Sequence, residues 1–304
     1  MTVPIYRKTS PFRRYFGGCI TVLVVLTLIG YVIFRIVRPF VHDSRSRPTE
    51  TRVPRMPTPA DSAAGGIFLK LGNPSGASGD INQPNNFLLV SQASALSYNR
   101  DRGEPNWVAW RLTPADLGDI QRENDFRPDD RLPAGWRRIL PTDYTRSGYT
   151  RGHMCPAGDR TTSQELNSLT FLMTNIVPQT DDSNQGVWLT FEEYCRDLAE
   201  HGATLYIVAG AYGDLGRIRN RVTIPSSIWK VVVIIPRGEE LGPGLSHNAR
   251  VLAINTPNTD DVRYDDWRKY RTTVRAIEQA TGYDLLSALP REEQDRVETV
   301  VGEF

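Results

Sequence analysis

A run of 20 residues without a charge, Tyr15 to Phe34, is the feature that most restricts how this 304-residue chain can be arranged. At ~1.5 Å of rise per residue, such a helix covers the ~30 Å hydrocarbon core of a bilayer. A buried core helix would show a polar stripe, and none is visible. A cleaved signal usually has a shorter apolar region and a small-x-small cleavage site; this run ends in Ile33-Phe34-Arg35-Ile36-Val37-Arg38. The expectation is a short basic segment over 1–14 and one uncleaved transmembrane helix over 15–38. Arg7, Lys8, Arg13 and Arg14 precede the run, and Arg35, Arg38, Arg45 and Arg47 follow it, so flanking charge does not orient it. Residues 39–66 read as a linker, interrupted by Pro39, Pro48, Pro54, Pro57 and Pro59. A single folded domain is expected over 67–304.

Within that domain the pattern alternates without a regular βα rhythm. Phe87–Val90, Trp107–Leu112, Thr204–Ala209, Trp229–Ile235 and Arg250–Asn255 are short apolar runs that predict strands. Helices are predicted over Gly186–Glu200, Asp265–Ala280 and near Glu292–Val301, with Gly202 and Gly282 just past the ends of the first two. The fold class is therefore α+β, with a mixed or antiparallel sheet at its core. No Gly-x-Gly-x-x-Gly follows a strand and no Walker loop occurs, which argues against nucleotide-cofactor folds. Three cysteines exclude a four-cysteine zinc site and a disulfide-framework miniprotein. With 36 Lys+Arg against 35 Asp+Glu the net charge is +1, so the chain is not polybasic. Charge is nevertheless uneven: residues 127–160 hold seven arginines and four aspartates.

Chemistry concentrates in Ser147-Gly-Tyr-Thr-Arg-Gly-His-Met-Cys-Pro-Ala-Gly-Asp-Arg160 and, further on, Thr174-Asn-Ile-Val-Pro-Gln179 and Ser183-Asn-Gln-Gly-Val-Trp-Leu-Thr-Phe-Glu192. An imidazole with a pKa near ~6.5 can take a proton from water at neutral pH. The neighbouring guanidinium, Arg151, suits a phosphate whose negative charge grows in a transition state. Asn184 stands at the predicted start of a helix with Glu192 eight residues on, roughly 80° apart on the wheel. Their oxygens are hard ligands of the kind Mg²⁺ accepts. Taken singly, each has an ordinary structural explanation: a histidine in a Gly/Pro-rich turn, a helix N-cap, a solvated helix glutamate, a salt-bridging arginine.

In their order and spacing, these residues resemble the DNA/RNA non-specific endonucleases, the ββα-metal nucleases. The hallmark Asp-Arg-Gly-His appears as Thr150-Arg-Gly-His153, followed by Thr174-Asn175…Pro178-Gln179 and Asn184…Trp188…Glu192. Leu96–Asn99, Trp107–Trp110, Phe126–Asp130, Asp143-Tyr144, Leu205–Gly210 and Trp229–Val233 extend the likeness. The resemblance implies hydrolysis of phosphodiester bonds in DNA and RNA without sequence preference, leaving 5′-phosphate and 3′-hydroxyl ends. It implies His153 as general base, Asn184 as the direct protein ligand of one hydrated Mg²⁺ (with Mn²⁺ as a substitute), and Arg151 on the phosphate. Glu192 would hold metal-bound water, Asn175 would support the site, and an upstream arginine, Arg122 or Arg127, would assist.

One position departs from the pattern. Thr150 replaces the usual aspartate, bringing a hydroxyl near the substrate site and no negative charge. Two rival readings follow: a catalytically silent membrane-tethered nucleic-acid-binding module, or a phosphodiesterase acting on a small or lipid-linked substrate. The likeness also makes a Cys155–Cys195 disulfide conceivable beside two buried thiols. A sequence-blind nuclease would endanger its own genome in the cytoplasm, so the anchored domain is expected outside it. Nothing in the sequence identifies an inhibitor protein or an oligomeric state.

Overall fold

The computed structural model describes residues 66–303, all within a unit running from Val53 to Phe304. The uncharged run and nearly all of the proline-rich linker lie outside the described residues. Among those described, no helix is long and apolar enough to cross a membrane.

Six strands form the central sheet: β1 (Phe87–Val90), β2 (Ala95–Asn99), β3 (Glu104–Leu112), β6 (Thr204–Tyr212), β9 (Ser227–Ile235) and β10 (Arg250–Pro257). They lie side by side in that order and every neighbouring pair is antiparallel. The central strands β3, β6 and β9 are nearly continuously buried, because both faces of the sheet are covered. Period-two alternation sorts their side chains. Val108, Trp110, Leu112, Leu205, Ile207, Val232 and Ile234 enter the core beneath α2 (Leu189–Glu200). Trp107, Ala109, Tyr206, Val208, Trp229, Val231 and Val233 face the opposite core, which holds α3 (Val274–Thr281) and α4 (Arg291–Glu298).

The strand runs read from sequence are present, each extended or matched in place. The predicted helix over Asp265–Ala280 is two elements, a 3₁₀ turn at Trp267–Tyr270 and α3. Between them Arg271 bridges to Ile254 on β10, and the Thr273 hydroxyl accepts from Ala276 N to start α3 anew. The helix predicted from Gly186 begins at Leu189, preceded by a wide π-type turn over Ser183–Trp188. Cys155 and Cys195 are both free and buried in the α2-side core, so the structure takes the thiol alternative.

The pattern did not show β2 of the central sheet, nor several short strands outside it, two of which carry the site. Strands β4 (Thr150–His153) and β5 (Ile176–Gln179) form a separate two-stranded hairpin, whose long connection holds α1 (Gln164–Leu169). One contains Gly152 and the other Pro178, residues that argue against strand in a sequence. His153 therefore sits on a strand, and not in the turn its glycine and proline neighbours suggest.

Candidate active site

On β4, Arg151 and His153 are two residues apart, so both project to one side of the hairpin, while Thr150 and Gly152 project to the other. The hairpin can be this tight because Gly152 lies on Gln179. A Cβ at position 152 would fall 1.8 Å from Gln179 Oε1. After β5 the chain enters the π-type turn, where Gly186 takes φ −108° and ψ −110°. A Cβ there would meet the Arg263 backbone at 2.4 Å. The turn replaces the regular wheel on which Asn184 and Glu192 were placed, and the two residues reach the same cleft by a kinked path.

That cleft has a volume of about 320 Å³. Arg122, Arg151, His153, Asn184, Gln185, Glu192 and Arg196 line it, with the backbone turn at Pro156–Gly158 and Leu189. His153 is 9% exposed, and its Nε2 is buried with no hydrogen-bond partner. Its ring lies 5.3 Å from that of Phe126 and 4.9 Å from that of Phe171. Those rings each carry an arginine, Arg151 at 4.0 Å over Phe126 and Arg122 at 5.2 Å over Phe171. Burial, and then the charges of Arg122 and Arg151, push the imidazole down to about 3. The histidine is thus neutral at physiological pH, at the wall of the cleft and beside two cations.

Asn184 is oriented from behind. Its Nδ2 donates to Thr150 Oγ1 at 3.0 Å, and that hydroxyl donates in turn to the Gln179 carbonyl at 3.0 Å. Since the hydroxyl proton is used on Gln179, the hydroxyl must accept from Asn184, which leaves the amide oxygen for the cleft. Thr150 itself does not line the cleft.

Glu192 is buried on α2, with Lys230 Nζ 3.6 Å away. Burial pushes its carboxyl up to about 7, against the opposing pull of Lys230 and Arg196. Lys230 is 1% exposed and lies over the Trp188 ring at 4.2 Å, within reach of Trp110 and Phe191. Period-two alternation on β9 makes this lysine the one charged side chain pointing into the α2-side core from that strand.

Of the two upstream arginines, the structure brings only Arg122 to the cleft. Arg127 donates to Asp125 Oδ2 at 2.6 Å and to the Ser168 carbonyl at 2.9 Å. Asn175 does not line the cleft either. Its Oδ1 accepts from Cys155 N at 2.9 Å, and its Nδ2 donates to the carbonyls of Cys155 and Thr170, both at 2.8 Å. It clamps the chain two residues beyond His153. Arg196 was not singled out in the sequence, yet it lines the cleft and pairs with buried Asp159 at 3.2 Å. The available signal was its place one turn after Glu192, on the same face of α2.

A histidine and an arginine from β4, an asparagine from the turn after β5 and a glutamate from α2 converge with Arg122 and Arg196 on one cleft, an arrangement suited to a phosphodiester. The chain belongs to the DNA/RNA non-specific endonuclease family, whose model matches residues 72–292. It is 45% identical over 255 residues to a nuclease of Nostoc sp., spanning 84% of this chain and 92% of that protein. It is 30% identical over 224 residues to the mitochondrial nuclease EXOG of Danio rerio, spanning 67% of this chain and 62% of that protein. The solved EndoG/EndoGI complex shares the fold, with a TM-score of 0.62, 24% identity and coverage of 75% of this chain and 93% of that one. The chain is a hydrolytic nuclease, a DNA/RNA endonuclease by family.

Proposed function

We propose that this nuclease cuts DNA and RNA without reading sequence, using His153 as general base beside a Mg²⁺ ion held by Asn184. The observation that carries the reading is a neutral His153 lining the same cleft as the Asn184 amide and the guanidinium groups of Arg122 and Arg151. The donor set fits a hydrated Mg²⁺. It offers an amide oxygen and a carboxylate, both hard, and few protein ligands, as suits an ion that keeps most of its waters. Among the described residues, the group of His, Cys, Asp or Glu side chains within ligand distance of one another, Glu278, Asp284 and Glu298, includes none of the cleft residues. Held by Asn184, with Glu192 on its water, such a cation would supply Lewis acidity to the phosphodiester.

The chain's own residues do the rest. Arg151 and Arg122 receive the phosphate, and their charge is more valuable in the transition state, where negative charge on the phosphoryl oxygens is greatest. The His153 imidazole takes a proton from the attacking water as the water oxygen bonds to phosphorus. The phosphorus–O3′ bond breaks, and the departing 3′ oxygen gains a proton from solvent, leaving a 5′-phosphate and a 3′-hydroxyl. Phosphate neutralises the two arginines that depress His153, so substrate binding itself raises the basicity of the imidazole. Glu192 orients water in the cleft, and Asn175 holds the backbone beyond His153 in register.

The test is cleavage of supercoiled plasmid and structured RNA by the full chain in detergent, with Mg²⁺ and EDTA arms. His153→Ala and Asn184→Ala are each expected to lower the rate by about 10² or more. Mg²⁺-independent cutting, or full activity in His153→Ala, would overturn the assignment. The uncharged run Tyr15 to Phe34 supports a further part of the reading, a single-pass membrane anchor with the nuclease domain outside the cytoplasm. Protease accessibility of the domain in intact cells tests that placement.

A further inference from the structure

The arginine excess seen in the sequence resolves into two populations. Arg131 is bound to buried Asp129 at 2.6 Å, and Arg160 is buried against the carbonyls of Ala93, Asp159 and Arg111. Arg137 and Arg146 are exposed. A second hairpin, β7 (Arg217–Ile218) and β8 (Val222–Thr223), brings Arg219 and Arg221 beside them. Arg219 Nε and Nη2 donate to the carbonyls of Asp143 and Thr145, each at 3.0 Å, and Arg137 reaches the Arg221 carbonyl at 3.5 Å. Arg221 is paired with the buried carboxylate of Asp143 at 3.4 Å. Arg137, Arg146 and Arg219 form no ion pair with a carboxylate among the described residues, in contrast to Arg221.

The backbone under this patch is strained. Arg146 has φ 58°, Arg219 φ 49° and Asn220 φ 55°. These are three of the four non-glycine residues with positive φ among the described residues, the fourth being Asp261. Arginine rarely adopts this conformation, and glycine would relieve it without changing the turn. A patch serving only solubility gives no reason to keep arginine there.

The patch is built on elements that pack against the cleft's own strand. The 3₁₀ turn Pro141–Tyr144 packs against β4, the strand that carries Arg151 and His153. Ile218 and Tyr144 share a small core with Phe126, whose ring lies under Arg151. We propose that Arg146 and Arg219, supported by Arg137 and Arg221, form a second contact surface for the phosphodiester backbone of long nucleic acid, extending the track beyond the cleft. This rests on the nucleic-acid reading above and adds a surface outside the catalytic site.

The experiment compares the full-length wild type with R146A and R146A/R219A. Binding to a fluorescent 30-base-pair duplex is followed by anisotropy in EDTA over a NaCl series. Each arginine removed is expected to lower the slope of log K against log salt by about 0.9 and to weaken binding several-fold. With Mg²⁺, KM on long duplex rises while kcat holds, and hydrolysis of bis(p-nitrophenyl) phosphate, too small to span both surfaces, is unchanged. Arg219 makes structural hydrogen bonds, so R146A serves as the variant free of that complication, and R146K should restore the salt slope. A folded R146A with wild-type salt slope and wild-type KM on long duplex overturns the proposal. If wild type cleaves nothing, the nuclease reading fails, and the salt series still decides whether this surface binds phosphate.

Discussion

Asn184 Nδ2 donates to Thr150 Oγ1 at 3.0 Å, and Thr150 passes its own proton to the Gln179 carbonyl directly opposite it on the hairpin. A carboxylate at position 150 could accept from Asn184 but has no proton for Gln179. Threonine at this position therefore gives the Asn184 amide a defined orientation without adding charge.

Removing that hydroxyl should show in metal affinity. Thr150→Val keeps the volume but frees the amide to turn either face to the cleft. Mn²⁺ binding, measured by electron paramagnetic resonance, is expected to weaken by about 10–100-fold, the usual effect of losing a group that orients a ligand. Thr150→Ser retains the relay and should bind within a few-fold of wild type. Equal affinities for the valine and serine variants would show that the hydroxyl does not orient the amide.

The depressed basicity of His153 sets two pH dependences. With the free imidazole at about 3, kcat/KM should show no acid limb near pH 6.5. Arg122→Ala removes one of the charges that depress it, so the variant should be slower and its acid limb should move to higher pH. Stability follows the same shift. The folded-state pKa lies below the unfolded value of 6.5, so unfolded chains bind the extra proton between the two. This contribution is complete above pH 6.5 and is lost as pH falls toward 3, at up to ~1.4 kcal/mol per pH unit. Urea titrations of His153→Gln should be flatter than wild type across that window.

Lys230 is the counter-ion on which Glu192 depends. Lys230→Met fills the space under Trp188 but leaves the carboxyl buried without its cation, and the already raised pKa of about 7 must climb further. Activity at pH 7 should drop and recover partly toward pH 9 as Glu192 ionises. An unchanged pH profile in a folded variant would exclude the coupling. Breaking a buried pair on one side also costs stability, about 3–5 kcal/mol, visible as a lowered Tm.

The glycine positions make a purely steric prediction. Gly152→Ala forces a Cβ onto the Gln179 side chain, and Gly186→Ala forces one onto the Arg263 backbone. The Gly186 variant should lose more, since backbone cannot rotate away, with about 1–3 kcal/mol expected for overpacking. Gly79, with nothing within 4 Å, is the control and should tolerate alanine within about 0.5 kcal/mol. A Gly186→Ala melt matching that of Gly79→Ala would contradict the packing described.

The central sheet was legible in the sequence because β3, β6 and β9 are buried on both faces, and double burial writes an apolar run that needs no partner to be recognised. The arginine–glycine–histidine segment and the Asn184…Glu192 spacing were legible as chemistry for a similar reason, since few residue types can do that work. What the one-dimensional pattern could not contain was the hairpin of β4 and β5. Four-residue strands holding glycine and proline are stable only through Asn175, Gln179 and the core beside them, which are tertiary partners. The choice of Arg122 over Arg127, the place of Arg196 and the thiol state of Cys155 and Cys195 were likewise settled by packing. So was the meaning of Thr150, because whether a hydroxyl replaces a carboxylate usefully depends on which donor and which acceptor the fold brings within 3.0 Å of it.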